Sequence, residues 1–120
     1  MRVITGTARG RKLTAPEGMD VRPTTDMAKE GMFSAIQFEI EGALALDLFA
    51  GSGQLGIEAM SRGARGAVFV DQSRASRQAV EQNLRHTGFW ERARLVAGDA
   101  KGFLLSCREQ FHLASLDPPY

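Results

Sequence analysis

From Ala43 onward, short apolar runs alternate with helix-length segments, and this alternation constrains the fold more than any other feature of the chain. Residues 43–49, 67–71, 93–97 and 111–116 read as strands, and 53–62, 73–87 and 100–108 as the helices between and after them. Gly63 stops the first helix, while the second opens on the serine cap Ser73 and closes at Gly88, the residue type favoured just past a helix end. Strands that are apolar throughout are buried on both faces, which means a parallel sheet covered by helices. The expected fold is α/β, a doubly wound, mostly parallel, Rossmann-like sheet.

Upstream of it, residues 2–5 and 11–14 read as short strands around a turn at 6–10, a small N-terminal β-hairpin. A polar loop with Gly18, Pro23 and two threonines follows over 16–25. Thr25 or Asp26 then caps a helix running to about Ile40, with Met32, Phe33, Ile36 and Ile40 on its buried face. With 120 residues the chain fits one globular domain, divided into a basic hairpin and loop (1–22) and the α/β part (23–120).

The charge is unevenly spread. Arg2, Arg9, Arg11, Lys12 and Arg22 face only Glu17 and Asp20 in the first 22 residues, although the whole chain carries a formal +1. A basic arm of this kind, with Arg9, Arg11 and Lys12 at its centre, suits nucleic-acid phosphates. No apolar run approaches the roughly 20 residues of a membrane span, so no membrane partner is expected. The N-terminus lacks an apolar signal core, and Cys107 as the single cysteine excludes an internal disulfide; both fit the reducing cytoplasm. Cys107, His86 and His112 read as structural residues, Trp90 as a loop anchor, and no His/Cys spacing suggests a metal.

Three signals carry chemistry. The first is Asp47-Leu48-Phe49-Ala50-Gly51-Ser52-Gly53-Gln54-Leu55-Gly56, a strand entering a glycine turn that opens a helix. Glycines permit positive φ and close ligand approach, and a helix start offers outward N–H groups to an anion. Gly51, Gly53 and Gly56 match G-x-G-x-x-G, a pattern shared with dinucleotide binders. Asp47 is placed to hold the amino group of a methionine moiety, and Asp71, ending the next strand, a ribose hydroxyl pair. The second signal is Asp99-Ala100 after the third strand, where Asp99 can accept an adenine amino hydrogen and Ala100 leaves room for the ring.

The third is Asp117-Pro118-Pro119-Tyr120 after the fourth strand. The lone pair of a base amino group is delocalised into the ring. Two acceptors, the Asp117 carboxylate and the Pro118 carbonyl, can take its hydrogens and turn that lone pair toward a methyl donor. The prolines bring no competing N–H, and Tyr120 can stack on the target base. If the fourth strand pairs beside the first, this motif and the glycine turn meet where the strand order reverses.

This order of signals resembles the class I S-adenosylmethionine-dependent methyltransferases that act on amino nitrogens. Residues 2–6, 8–13 and Arg22-Pro23-Thr24-Thr25-Asp26 narrow the resemblance to the RsmD-type family, which methylates guanine N2 in small-subunit ribosomal RNA. The resemblance implies S-adenosyl-L-methionine as cofactor, held by Asp47, Phe49, Ala50, Gly51, Gly53, Gly56, Asp71, Asp99 and Ala100. It adds Arg22 and Thr24 to that site, with the following helix packing over the donor and Lys29-Glu30 matching a usual basic-acidic pair. Ribosomal RNA or the assembled small subunit is the implied partner, without metal, and the full-length protein a monomer in the cytoplasm. Met27, Ala28 and Gly31 depart from the commoner residues. The family continues past D-P-P-Y, so the chain reads as the N-terminal part of its domain, lacking C-terminal strands. A DNA adenine-N6 methyltransferase uses the same motif; a nucleotide-binding oxidoreductase module would use the glycine turn alone, leaving D-P-P-Y without a purpose. A catalytically inactive RNA-binding remnant is a third alternative.

Overall fold

The computed structural model describes residues 1–16, 25–48, 50–106, 111 and 113–116, the last three of these by backbone alone. Among the described residues four strands form one parallel sheet: β1 (Leu44–Leu48), β2 (Gly66–Asp71), β3 (Ala93–Ala97) and β4 (Leu113–Leu116). Their spatial order is β3-β2-β1-β4, so the sequence runs outward from β1 and then returns to its other side. The helices are α1 (Asp26–Ala35), α2 (Gln54–Ser61), α3 (Arg74–Thr87) and α4 (Ala100–Ser106). The α/β, doubly wound reading holds, including the pairing of the fourth strand with the first.

Two apolar clusters sandwich the sheet, as expected for strands buried on both faces. One joins Ala45, Ala67 and Phe69 to Leu55, Ile57 and Met60 of α2 and to Val80 and Leu84 of α3. The other joins Leu46, Leu48, Val68 and Val70 to Ala100 and Phe103 of α4. Alternate strand residues therefore serve opposite layers. The caps are local: Ser73 Oγ accepts from Ser76 N at 3.3 Å, and Gly88 ends α3 in the left-handed region at φ 81°.

Two expectations are corrected upstream. The hairpin strands reduce to one antiparallel bridge, Arg2 with Lys12, framed by Val3 N–H to Arg11 O and Leu13 N–H to Met1 O. The N–H groups of Ile4 and Thr5 are taken instead by the Glu58 carboxylate of α2, which stops the ladder. The helix after Thr25 ends at Ala35, not near Ile40, and residues 36–39 continue as tight turns. Ile36 and Phe38 are weak helix formers. Phe33 and Ile40 are buried as expected, while Met32 is exposed and Lys29 takes the buried position on that face.

Every residue of α2 is buried, because the sheet lies under one side and the hairpin covers the other. Glu58 accepts Ile4 N–H at 2.9 Å and Thr5 N–H at 3.1 Å, and pairs with Arg62 at 2.9 Å and Lys29 at 3.7 Å. Ser61 Oγ accepts Ala8 N–H and donates to Thr5 O. Gly6 packs on this helix end with φ 98°, where any Cβ would strike the Ser61 carbonyl. From α3, Asn83 accepts Thr14 N–H and donates to the carbonyls of Thr14 and Ser52, so one amide joins the hairpin to the glycine turn.

Candidate active site

β1 carries Asp47 and ends at Leu48, and the chain then passes through Ala50 to Gly53 into α2. Ala50 N–H bonds to Val70 O at 3.1 Å and Gly53 N–H to Ala50 O at 2.7 Å, which holds the turn against the end of β2. Gly53 stands at the N-cap with no side chain to accept the first-turn N–H groups. Asp47 supplies the acceptor from the strand: its Oδ2 takes Gly56 N–H at 3.0 Å, beneath the helix's positive end. Asp47 is only 2% exposed, so it supports the turn from below.

The pattern predicts glycines that open the backbone to a ligand. At two of the three positions the structure shows another reason. A Cβ on Gly53, at φ 78°, would come within 3.2 Å of Val80 Cγ2 and 3.3 Å of Phe69 Cε1. A Cβ on Gly56 would collide with the Phe69 ring and stand 3.3 Å from Asp47 Oδ2. Both face the core and permit close helix–sheet packing. Gly51, at φ 60°, differs: its N–H reaches across to Asp71 Oδ2 at 3.1 Å.

Asp71 ends β2 half-buried, with its other oxygen accepting Ser73 N–H at 2.8 Å. Each carboxylate oxygen keeps a second lone-pair site, so the pair can still accept from a diol. Asp99, exposed after β3, caps α4 by accepting Gly102 N–H at 2.6 Å through one oxygen, and Ala100 beside it is buried. Asp47, Ala50, Gly51, Asp71, Asp99 and Ala100 thus gather at the carboxyl ends of three adjacent strands. Gln54, the first residue of α2, has its Oε1 buried without a hydrogen-bond partner among the described residues.

Leu116, the last residue of β4, pairs with Leu48 at the end of β1. Asp117, Pro118 and Tyr120 follow it in sequence and lie outside the described residues, as do Phe49, Arg22 and Thr24. On the hairpin, Arg9, Arg11 and Lys12 are exposed, and their side chains make no ion pair among the described residues. Among those residues no group of three or more His, Cys, Asp or Glu could hold a metal, and no helix is long and apolar enough to cross a membrane.

The polar clamp under the hairpin escapes the motif reading. Its signal is visible in retrospect as polar residues on helix faces that should be apolar: Glu58 within α2, and Asn83 in line with Ser76 and Val80 of α3. Lys29 completes it by donating to Arg2 O. Burial pushes the Lys29 ammonium below its ordinary pKa of 10.5, and the neighbouring Glu58 carboxylate opposes that shift.

Residues 1–120 match the model of the family described as Conserved hypothetical protein 95. The chain is also 41% identical over 120 residues to ribosomal RNA small subunit methyltransferase D of Escherichia coli (strain K12), covering 100% of this chain and 60% of that one. This chain belongs to the methyltransferase D (RsmD) family. Another RsmD relative, YlbH of Bacillus subtilis (strain 168), is 43% identical over 123 residues, with 100% of this chain and 67% of YlbH covered. The solved structure of yhhF from Escherichia coli superposes with a TM-score of 0.88 at 41% identity, over 100% of this chain and 66% of that one. The chain therefore spans 60% to 67% of the length of these RsmD relatives.

Proposed function

We propose that this chain carries the donor site and the reacting motif of an S-adenosylmethionine-dependent methyltransferase acting on guanine N2 in small-subunit ribosomal RNA. The observation that carries the reading is the parallel pairing of β4 with β1, with Leu116 opposite Leu48. The glycine turn and D-P-P-Y begin directly after these two paired strand ends. In a doubly wound sheet the ligand crevice lies at the carboxyl edge where the strand order reverses, here between β1 and β4. The RsmD relative from Escherichia coli is named for ribosomal RNA methylation, which supports the substrate class and, with it, a cytoplasmic reaction.

The residues fit the donor. Gln54 Oε1, buried and without a partner among the described residues, is an acceptor at the start of α2, suited to an ammonium group. The spare lone pairs of Asp71 suit a ribose diol, and Asp99 keeps an oxygen for an amino hydrogen while the other caps α4. Arg22 and Thr24 join this site on the family resemblance. When bound, the donor supplies an electrophilic methyl group. In the acceptor pocket, the Asp117 carboxylate and the Pro118 carbonyl take the two amino hydrogens and direct the lone pair. Asp117 is too acidic for an efficient general base, so it orients the amine and stabilises its developing positive charge. Tyr120 stacks on the base.

The test is mass analysis of nucleosides from small-subunit ribosomal RNA, free and assembled, after treatment with the protein and S-adenosylmethionine. N2-methylguanosine is expected; N6-methyladenine formed in DNA instead would overturn the reading. In single turnover, Asp117→Ala should slow transfer roughly ten- to over a hundredfold, the worth of one charged hydrogen bond. Asp117→Asn should fall between alanine and wild type, with donor affinity unchanged in both. An alanine variant as fast as wild type would remove Asp117 from the chemistry.

A further inference from the structure

The open edge of the described sheet at β3 holds a feature that methyl transfer leaves unused. A shallow, open hollow of about 400 Å³ lies there, lined by Arg74, Arg77, Gln78 and Glu81 of α3, by Trp90, and by Leu95 of β3. None of these residues belongs to the candidate donor or acceptor site.

Arg74 and Arg77 begin α3, where a helix's positive end favours acidic side chains; the first turn of α3 contains none. Arg77 is occupied locally, donating to the carbonyls of Asp71 at 3.1 Å and Gln72 at 2.9 Å. Arg74 is not. Its guanidinium, the Gln78 amide and the Trp90 indole N–H make no hydrogen bond or ion pair among the described residues. Glu81, the one acid among the described lining residues, is already paired with Arg85 at 3.1 Å. Arg85 in turn lies 4.5 Å over the Trp90 ring, a stack that fixes the indole plane.

The hollow thus combines an unpaired cation, two unpaired neutral donors, an oriented aromatic ring and an apolar wall. An anion joined to a planar ring satisfies all of these together, and a nucleotide in an RNA strand has that composition. An acidic peptide would use the cation but not the ring.

We propose that this hollow is a second RNA-contact site, separate from the basic arm, which takes one unpaired nucleotide with its phosphate on Arg74 and its base against Trp90 and Leu95. The proposal rests on the RNA reading above and deepens it.

Trp90 is the single tryptophan of these 120 residues, so in a protein of this sequence tryptophan emission reports on the hollow. The experiment titrates the protein with an end-labelled single-stranded fragment of small-subunit ribosomal RNA, following label anisotropy and Trp90 emission together. Saturable Trp90 quenching parallel to the anisotropy is expected. Arg74→Ala should lower the log–log salt slope by about 0.7, the share of one phosphate neutralised on a single strand. Its melting temperature should be equal or higher, because an unfavourable charge leaves the helix start. Trp90→Leu, which keeps apolar bulk, should weaken RNA binding roughly five- to over a hundredfold. S-adenosylhomocysteine affinity should be the same in all three proteins. RNA binding with silent Trp90 would overturn the hollow and leave the methyl-transfer reading standing. Absence of RNA binding by anisotropy would overturn both. Equal quenching by polyglutamate, or quenching by S-adenosylhomocysteine alone, would assign the hollow to another ligand and overturn the proposal.

Discussion

The hairpin and the β3 edge both present arginines to solvent, yet they are built in opposite ways. Beneath the hairpin lie Glu58, Ser61, Lys29 and Asn83, all buried, and their polar atoms grip backbone groups of residues 2–14. At the β3 edge the cations stand on α3 itself, with the apolar Leu95 and the half-buried Trp90 beneath them. Burying charge is costly unless it is paired and hydrogen-bonded. A chain that does so under its hairpin fixes the hairpin's position tightly, while at the edge Arg77, Glu81 and Arg85 are held only by partly exposed, local contacts.

The largest expected effect breaks that contrast at Glu58. Glu58→Ala removes the acceptor of Ile4 N–H and Thr5 N–H and leaves Lys29 and Arg62 without their carboxylate. Breaking a buried ion pair from one side costs about 3–5 kcal/mol. Urea unfolding should show a loss of that size, with Glu58→Gln losing less; a fully stable alanine variant would mean that the clamp does not hold the hairpin.

Gly53 comes next. Its positive φ and its contacts with Val80 and Phe69 mean that Gly53→Val costs stability of about 1–3 kcal/mol before any donor is considered. Unfolding should register this loss in the absence of donor. A variant as stable as wild type that no longer binds S-adenosylhomocysteine would return Gly53 to the ligand's side of the turn.

Replacing Arg9, Arg11 and Lys12 together by alanine sharpens the comparison from the other side. These side chains are exposed, so stability should stay within about 0.5 kcal/mol of wild type for each. The salt slope of RNA binding should fall by about two to three, one increment for each phosphate no longer neutralised. An unchanged slope would make the arm a solvated surface.

The smallest effect is the pH response of Lys29. Its folded pKa lies below the ordinary 10.5, so between these two values the unfolded chain binds the additional proton. Stability contributed at this site therefore rises with pH through that window, because deprotonation relieves the burial cost. Measured against Lys29→Met, wild type should gain as pH rises from neutral toward 10.5. A difference independent of pH would show that the ammonium is not desolvated.

Much of this architecture is legible locally. Ser73 and Gly88 bracket α3 within one residue of the reading, and residues 93–97 form β3 as expected. Periodicity and caps act over a few residues, so the chain announces them directly. The end of α1 is less legible, because no glycine or proline marks it and weak helix formers alone let it lapse into turns.

By itself the sequence determined the order of strands and helices, the acids at the strand ends and the family motifs, all of them short-range patterns. Tertiary structure alone decided which groups those patterns serve. It turned Gly53 and Gly56 toward Phe69, set the Asp47 carboxylate beneath the Gly56 N–H, and made Glu58 and Asn83 the holders of the hairpin. The reason is separation along the chain: Glu58 meets Ile4 across 54 positions and Asn83 meets Thr14 across 69. A buried polar residue is tolerated only for the partner it reaches, and no local pattern names a partner that distant.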